Sequence, residues 1–409
     1  MKLIDVVQLT RDAIGQTMGA DYEPIASQSN DELMAMPSHK LADIGRDVTS
    51  DTTINSLTTN LISLMGKHTI ESRRFVDKIK TINVDSFDWG GFIQRTRIGL
   101  GEIMDDPMYA KTVGRDYSSI EHTYYGQDVK SKIYGEAKSI MTPISIEREE
   151  LREAFTSWDK LNAFISAKMT QIENTVKLAI YVYKKMLFSC AIATSDLKTQ
   201  TAVHLISEAV ALGILSQVNE GTESDPELRN PTYEEVRRNG DFLKFCCERI
   251  AETRDYMMEI SEAFNDGSIP TWCDETPRFE MLADFEKAIK FNVKADTYHP
   301  DQLGFGEYET ISSWQGIKDS TSREFDPMIA SKVMLSADAD NKLGIGTSAY
   351  TKAGVVGLMF DPMAIGCCLY RNKVTSSYTA SADFWNEFHH TLVNYLIDSS
   401  YGMVAFIMD

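Results

Sequence analysis

The chain has 409 residues, 43% hydrophobic and 25% charged, the balance of a globular protein rather than of a disordered tail or a collagen-like rod. At about 150 residues per domain, this length gives two to three domains. Sixty acids against 41 bases leave a net charge of −19, which argues against nucleic acid as a ligand, because binding driven by counterion release needs a basic face. The charge is also uneven: residues 1–140 carry 16 bases and 20 acids, whereas 195–310 carry 11 and 24. The apolar runs, such as 401–408, fall short of the ~20 residues that a membrane span needs. Asp5 interrupts any signal-peptide core, so a soluble, unsecreted protein without membrane contact is expected.

In chain order, residues 3–18 form a short amphipathic stretch, followed by a polar segment over 19–37. The spacing of Ile54, Leu57, Leu61, Ile62 and Met65 predicts a helix over 51–65, capped by Asp51 and ended by Gly66. Two thin helices on a polar strap bury little by themselves and need another surface to lie on. The stretch from Lys67 to Lys80, with Arg73 and Arg74, reads as a docking face for an acidic neighbour.

Residues 92–103 and 128–140 both alternate with a period of two and predict strands. In the second, Lys130, Lys132, Tyr134, Glu136 and Lys138 share one face, and the other is small or weakly apolar. Between the strands lie Tyr109, Tyr117, Tyr124 and Tyr125 with few aliphatics. A long two-stranded ribbon is at best marginally stable alone in water. Its tyrosines, together with Phe92, Ile93, Arg95 and Arg97, suit a contact surface between subunits. An ordinary hairpin packed on its own domain is the alternative.

Ser145 with Glu147, Glu149 and Glu150 predicts the start of a short helix running to about 155. Ser157 then caps a much longer one, in which Leu161, Ile165, Met169, Ile172, Val176, Ile180, Tyr183 and Leu187 step by three or four. A helix of about 35 residues measures ~50 Å, and its continuous stripe asks for a continuous partner, most simply a long sheet. Further on, 197–218 is apolar enough for a buried helix. A capping box at Thr232 and Glu235 opens another helix running to Phe264. Residues 281–293 fit either strand or helix, 308–314 a strand and 319–353 a loop. The end is β-rich, with strands expected at 355–360, 363–373, 384–397 and 403–408.

No catalytic, cofactor-binding or metal-ligating residue is expected. Gly344–Ala349 fits G-x-G-x-x-A but lacks the apolar strand before it, and Asp338–Asn341 lacks the glycine of a calcium loop. His389 and His390 are adjacent on a strand and so point to opposite faces. The acids Glu102 and Glu307 have no partner at a spacing suited to general acid–base work. Six cysteines, at 190, 246, 247, 273, 367 and 368, form no C-x-x-C and read as reduced, buried thiols.

Taken together, the order of elements resembles the major capsid proteins of tailed bacteriophages, the Hong Kong 97 fold, and is closest to those of small short-tailed phages. The stretch from Glu150 to Ile165 (ELREAFTSWDKLNAFI) resembles the start of their spine helix, and Ala382–His390 and Met403–Phe406 resemble their closing strands. The resemblance implies an α+β fold with an N-terminal arm over 1–80 and an E-loop over 85–142. It also implies a P-domain with the spine helix over 143–195, completed by 363–402, and an A-domain over 196–362, completed by 403–409. The function implied is that of a major capsid protein, assembling through pentamers and hexamers into an icosahedral or prolate shell around double-stranded DNA, with no catalysis. Its partners would be copies of itself, scaffolding and portal proteins, and DNA enclosed without sequence-specific binding. Its place would be the virion, after assembly in the host cytoplasm. No crosslinking site and no additional immunoglobulin-like domain are expected. An encapsulin-type compartment shell shares the fold, and an acidic cytosolic enzyme is the alternative of a different class.

Overall fold

The structure, a computed structural model, describes residues 93–101, 122–126, 129–134, 137–148, 158–220, 227–267, 269–292, 308–315, 330–337, 348–379 and 381–409, with positions 79, 82, 150 and 346. The expectations for 1–78, including the two thin helices and the basic stretch up to position 78, lie outside these residues, as do the Gly344 motif except Gly346, Ser348 and Ala349, and the Asp338 motif.

The organising element is α1 (Trp158–Ala193), a 36-residue helix about 54 Å long. Its buried side chains Ile165, Ile172, Val176, Ile180, Leu187 and Phe188 repeat at helical spacing. The partner is a long sheet, as the stripe demands. Strands β3 (Ala137–Glu147), β12 (Ile365–Thr379) and β13 (Phe384–Ile397) form an antiparallel sheet in the order β12-β13-β3. β13, at 14 residues, spans about 46 Å, and its side chains alternate between buried and half-buried because one face lies toward α1. The C-terminal half of α1 continues into a second core, where Lys184 Nζ donates to Ile79 O at 2.7 Å and Lys185 Nζ to Ser313 Oγ at 2.7 Å.

That second core is built on a five-stranded sheet. It contains β4 (Val203–His204), β7 (Arg278–Leu282), β8 (Tyr308–Ile311), β11 (Val355–Phe360) and β14 (Met403–Ile407), ordered β4-β14-β11-β7-β8. β14 runs parallel to β4 and antiparallel to β11, and β7 runs parallel to β8. Every residue of β11 and β14 is buried, which explains why VVGLMF and MVAFI are continuous apolar runs rather than alternating ones. α5 (Ala283–Asn292) lies on β7 and β8. α4 (Gly240–Met257) packs on α5 and on α2 (Leu205–Ala211), and α2 packs on β14. Smaller pairs complete the fold: β1 (Ile93–Ile98) with β2 (Val129–Tyr134), β5 (Val218–Asn219) with β6 (Leu228–Arg229), and β9 (Val333–Leu335) with β10 (Tyr350–Lys352).

Several expectations are corrected. The stretch 128–140 is not one strand: β2 ends at Tyr134, and β3 starts at Ala137 in a different sheet, paired with β13. Helical backbone does begin just past Ser145, at Arg148 and again at Glu150, but Ser145 itself is not its cap. It sits in β3 opposite Asn386, to which its Oγ donates at 2.7 Å. Within 197–218, residues 197–198 close a π-helical turn (Thr194–Lys198) that continues α1 and only 205–211 form a new helix, since Gln200 at φ 52° turns the chain before α2 and Gly213 at φ 73° ends it. The capping box at Thr232 forms, with Glu235 Oε2 accepting from Thr232 N at 2.7 Å, but it opens only the short α3 (Tyr233–Val236). Asn239 then starts α4 by accepting from Asp241 N and Phe242 N, and that helix stops at Met257. The ambiguous 281–293 is the end of β7 followed by α5. The loop expected over 319–353 contains β9 and β10.

Gly354 makes the turn from β10 into β11 at φ 75°, and a Cβ there would lie 2.9 Å from Met408 O. Both the left-handed backbone and the close approach exclude a side chain. Gly354→Ala is expected to cost about 2 kcal/mol, read as a lower midpoint in urea unfolding.

Candidate assembly interface

The β1–β2 ribbon has two unlike faces. Its register sets Ile93 opposite Tyr134, Arg95 opposite Lys132 and Arg97 opposite Lys130 on one face. Gln94 opposite Ile133, Thr96 opposite Ser131 and Ile98 opposite Val129 make the other. Two cationic pairs directly across a ladder repel, so this ribbon needs an acidic surface beneath it. The chain supplies one.

That surface is the turn 398–401 between β13 and β14, braced by neighbouring loops. Asp398 N donates to Ala364 O at 2.7 Å, Asp266 N to Ser399 O at 2.9 Å, and Met403 N to Phe264 O at 2.9 Å. Asp398 also folds the turn upon itself, its Oδ1 accepting from Ser400 N at 3.1 Å. Its side chain is only 1% exposed, and a carboxylate that far from water requires cationic partners. Lys132 Nζ lies 3.6 Å from Asp398 Oδ1 and 3.0 Å from Asp266 Oδ2, and Arg95 Nη1 lies 3.7 Å from Asp398 Oδ2. Arg95 also donates to Met363 O, Arg97 to Ser400 O, and Lys132 to Ser400 Oγ. The Arg95 and Arg97 guanidiniums stand 5.6 and 4.7 Å from the centre of the Tyr401 ring.

The electrostatics follow from this burial. Tyr134 is held well above its ordinary pKa, first by burial and then by the charge and hydrogen bond of Asp398, so it stays a neutral donor. Burial raises Asp361 as well, while Arg95 pulls against that shift. Burial, with Asp361 beside it, pushes the Cys273 thiol up to about 12.

The ribbon thus turns Arg95, Arg97, Lys132 and Tyr134 toward the body, while Lys130 stays exposed and the aliphatics face outward. Ile98 is 64% exposed and Ile133 68%, with Val129 and Leu100 similarly open. This inverts the usual rule for burial, and an exposed apolar row of that kind marks a contact surface.

Of the residues expected at subunit contacts, Arg95 and Arg97 lie in the seat just described, and Ile93 begins β1. Tyr124 is almost fully exposed and Tyr125 partly so. Phe92, Tyr109, Tyr117, Arg73 and Arg74 lie outside the described residues. Sequence reasoning missed Lys132, Tyr134, Asp266, Asp398 and Tyr401. The charged face of β2 was a visible signal for the first two, but nothing local marks the acids that receive it. Among the described residues, no group of three or more His, Cys, Asp or Glu side chains is placed to hold a metal, and no helix is long and apolar enough to cross a membrane.

Several solved phage structures are similar to the chain. The capsid of Staphylococcus phage Andhra matches at 10% identity and a TM-score of 0.46, covering 82% of this chain and 84% of that one. A structure of bacteriophage P68, described as its head fiber and inner core protein gp22, matches at 9% and 0.48, covering 81% and 85%. The capsid of cyanophage P-SCSP1u matches at 10% and 0.42, covering 80% and 86%. No curated protein matches the sequence. The family described as Phi29-like phage major capsid protein matches residues 19–407. With that match across nearly the whole length, the chain, an α+β protein, belongs to the Phi29-like phage major capsid protein family and is a structural component of the phage head shell.

Proposed function

We propose that the shell is built by this chain alone associating through pentamers and hexamers, with the ribbon lying across the next subunit. The observation that carries the reading is the outward row of Ile98, Leu100, Val129 and Ile133 on a ribbon whose described side chains contribute nothing to the buried apolar core. A neighbouring copy supplies the missing apolar partner. Tyr124 and Tyr125 belong to the same contact, and the arm over 1–80, with Arg73 and Arg74, gives a second. The remaining division is the E-loop over 85–142, the P-domain over 143–195 with 363–402, and the A-domain over 196–362 with 403–409. Many modest contacts of this kind add up once several subunits are in place.

The excess of acids fits a wall that encloses DNA without gripping it. Scaffolding and portal proteins are the further partners, and assembly takes place in the host cytoplasm. Deleting residues 90–138 is expected to abolish closed particles, leaving free subunits or small oligomers in size-exclusion chromatography and negative-stain microscopy. Ile98→Asp with Ile133→Asp, which leaves the ribbon in place, is expected to do the same. Particles of native size from both variants would overturn the reading.

A further inference from the structure

The seat of the ribbon is built unlike the rest of the molecule. Among the described residues of β1 and β2, none belongs to the buried apolar core, which spans α1 and the two larger sheets. The contacts that hold the ribbon down are ionic, polar or cation–π: Arg95, Arg97, Lys132 and Tyr134 on the ribbon against Asp398, Asp266, Ser400, Tyr401 and the Met363 carbonyl. Asp361 and Cys273 are the other titratable groups beside them. Beneath these residues the turn is tied to the body by its own backbone hydrogen bonds.

We propose that this seat is a releasable charge clamp, in which Asp398 and Asp266 set the angle of the ribbon to the body and their neutralisation frees the ribbon while the body stays folded. The carboxylates also compensate the like charges of Arg95 and Lys132, which face each other across the ladder. Without them the ionic attraction between ribbon and body is lost, and crowding these two cations at the seat becomes unfavourable. The clamp thereby controls the direction in which the outer row of Ile98 and Ile133 is presented. That role rests on the reading of the ribbon as an assembly element, whereas the clamp itself does not.

Brief trypsin digestion of the purified full-length chain, free of particles and read by mass spectrometry, tests the clamp. Asp398→Asn keeps an oxygen to accept from Ser400 N and removes only the charge. Cleavage after Arg95, Arg97 and Lys132 is expected to rise about tenfold, the size of losing a charge-assisted hydrogen bond, while cleavage after Lys244 and Arg254 in α4 stays as in the wild type. Raising NaCl from 0.1 to 1 M is expected to move the wild type toward the variant, because the Lys132–Asp266 pair is half-exposed and screened. Should Asp398→Asn loosen the body, seen as faster cutting in α4, Lys132→Gln on the exposed ribbon decides. Ribbon cleavage at the wild-type rate in the variant that keeps α4 protected overturns the proposal. A wild type that forms no shells while the variants release the ribbon would remove the assembly reading and leave the clamp, and shells without any release would do the reverse.

Discussion

Trp314→Ala is expected to lower stability by about 4 kcal/mol, read as a shift of the urea midpoint. Trp314 is fully buried and stands edge-on to Phe188, with ring centroids 6.4 Å apart and planes at 87°. Phe188 in turn lies 5.9 Å from Phe360, so one aromatic stack joins α1 to β11. The indole also donates from Nε1 to Val355 O at 2.8 Å, at the start of β11. Alanine therefore leaves a cavity between the helix and the sheet and a carbonyl without its donor, and the two losses add. Trp314→Phe, which refills much of the space but not the hydrogen bond, is expected to cost about 1–2 kcal/mol. Equal effects from the two variants would mean that the hydrogen bond, and not the packing, fixes the junction.

The second large effect lies in the long sheet. Glu387 and His389 stand two residues apart on the buried face of β13, with side chains 0% and 2% exposed and His389 Nε2 2.5 Å from Glu387 Oε1. None of the four side-chain nitrogen and oxygen atoms has a hydrogen bond of good geometry, and the neighbours across the two ladders are Ile144 and Thr142 on β3 and Ser376 and Val374 on β12. A pair held this far from water, with so little around it to complete its hydrogen bonding, is expensive to break yet adds little of its own. Glu387→Leu or His389→Leu alone is expected to cost about 3–5 kcal/mol, because each strands the other group. The double replacement is expected to return to the wild-type midpoint or rise above it by about 1–4 kcal/mol. Additive losses in this double-mutant cycle would show that the pair contributes through packing and not through its charges.

The elements legible in the sequence were those whose pattern is local. The stripe read as far as Leu187 lies on α1, which runs on to Ala193, the extended stretch expected over 384–397 is β13, and the capping box at Thr232 formed. The misreadings came where distant chain overrides a local pattern. Residues 128–140 alternate throughout, yet the two halves are claimed by different partners, β1 for the first and β13 for the second. The helix expected from Thr232 to Phe264 is divided because Asn239 is a stronger start than Arg237 and Arg238 are a continuation. In the seat of the ribbon, the two-faced character of β2 was plain, but which face turned inward was not. The acids that settle it, Asp266 and Asp398, stand more than a hundred residues downstream, and neither carries a signature apart from its place in a turn.

One feature of the five-stranded sheet bears on how the protein is made. β14, formed by residues 403–407, is not an edge strand: it lies between β4 and β11, and the turn that seats the ribbon comes just before it. A chain still on the ribosome before this point holds β4 and β11 with open edges, and it has nowhere to dock Arg95 and Lys132. Non-local pairing of this kind forms late in folding. Synthesis therefore orders folding: until residue 407 has been made, neither the inner strand of this sheet nor the docking place of the ribbon exists, so the two halves of the molecule are closed by one late event.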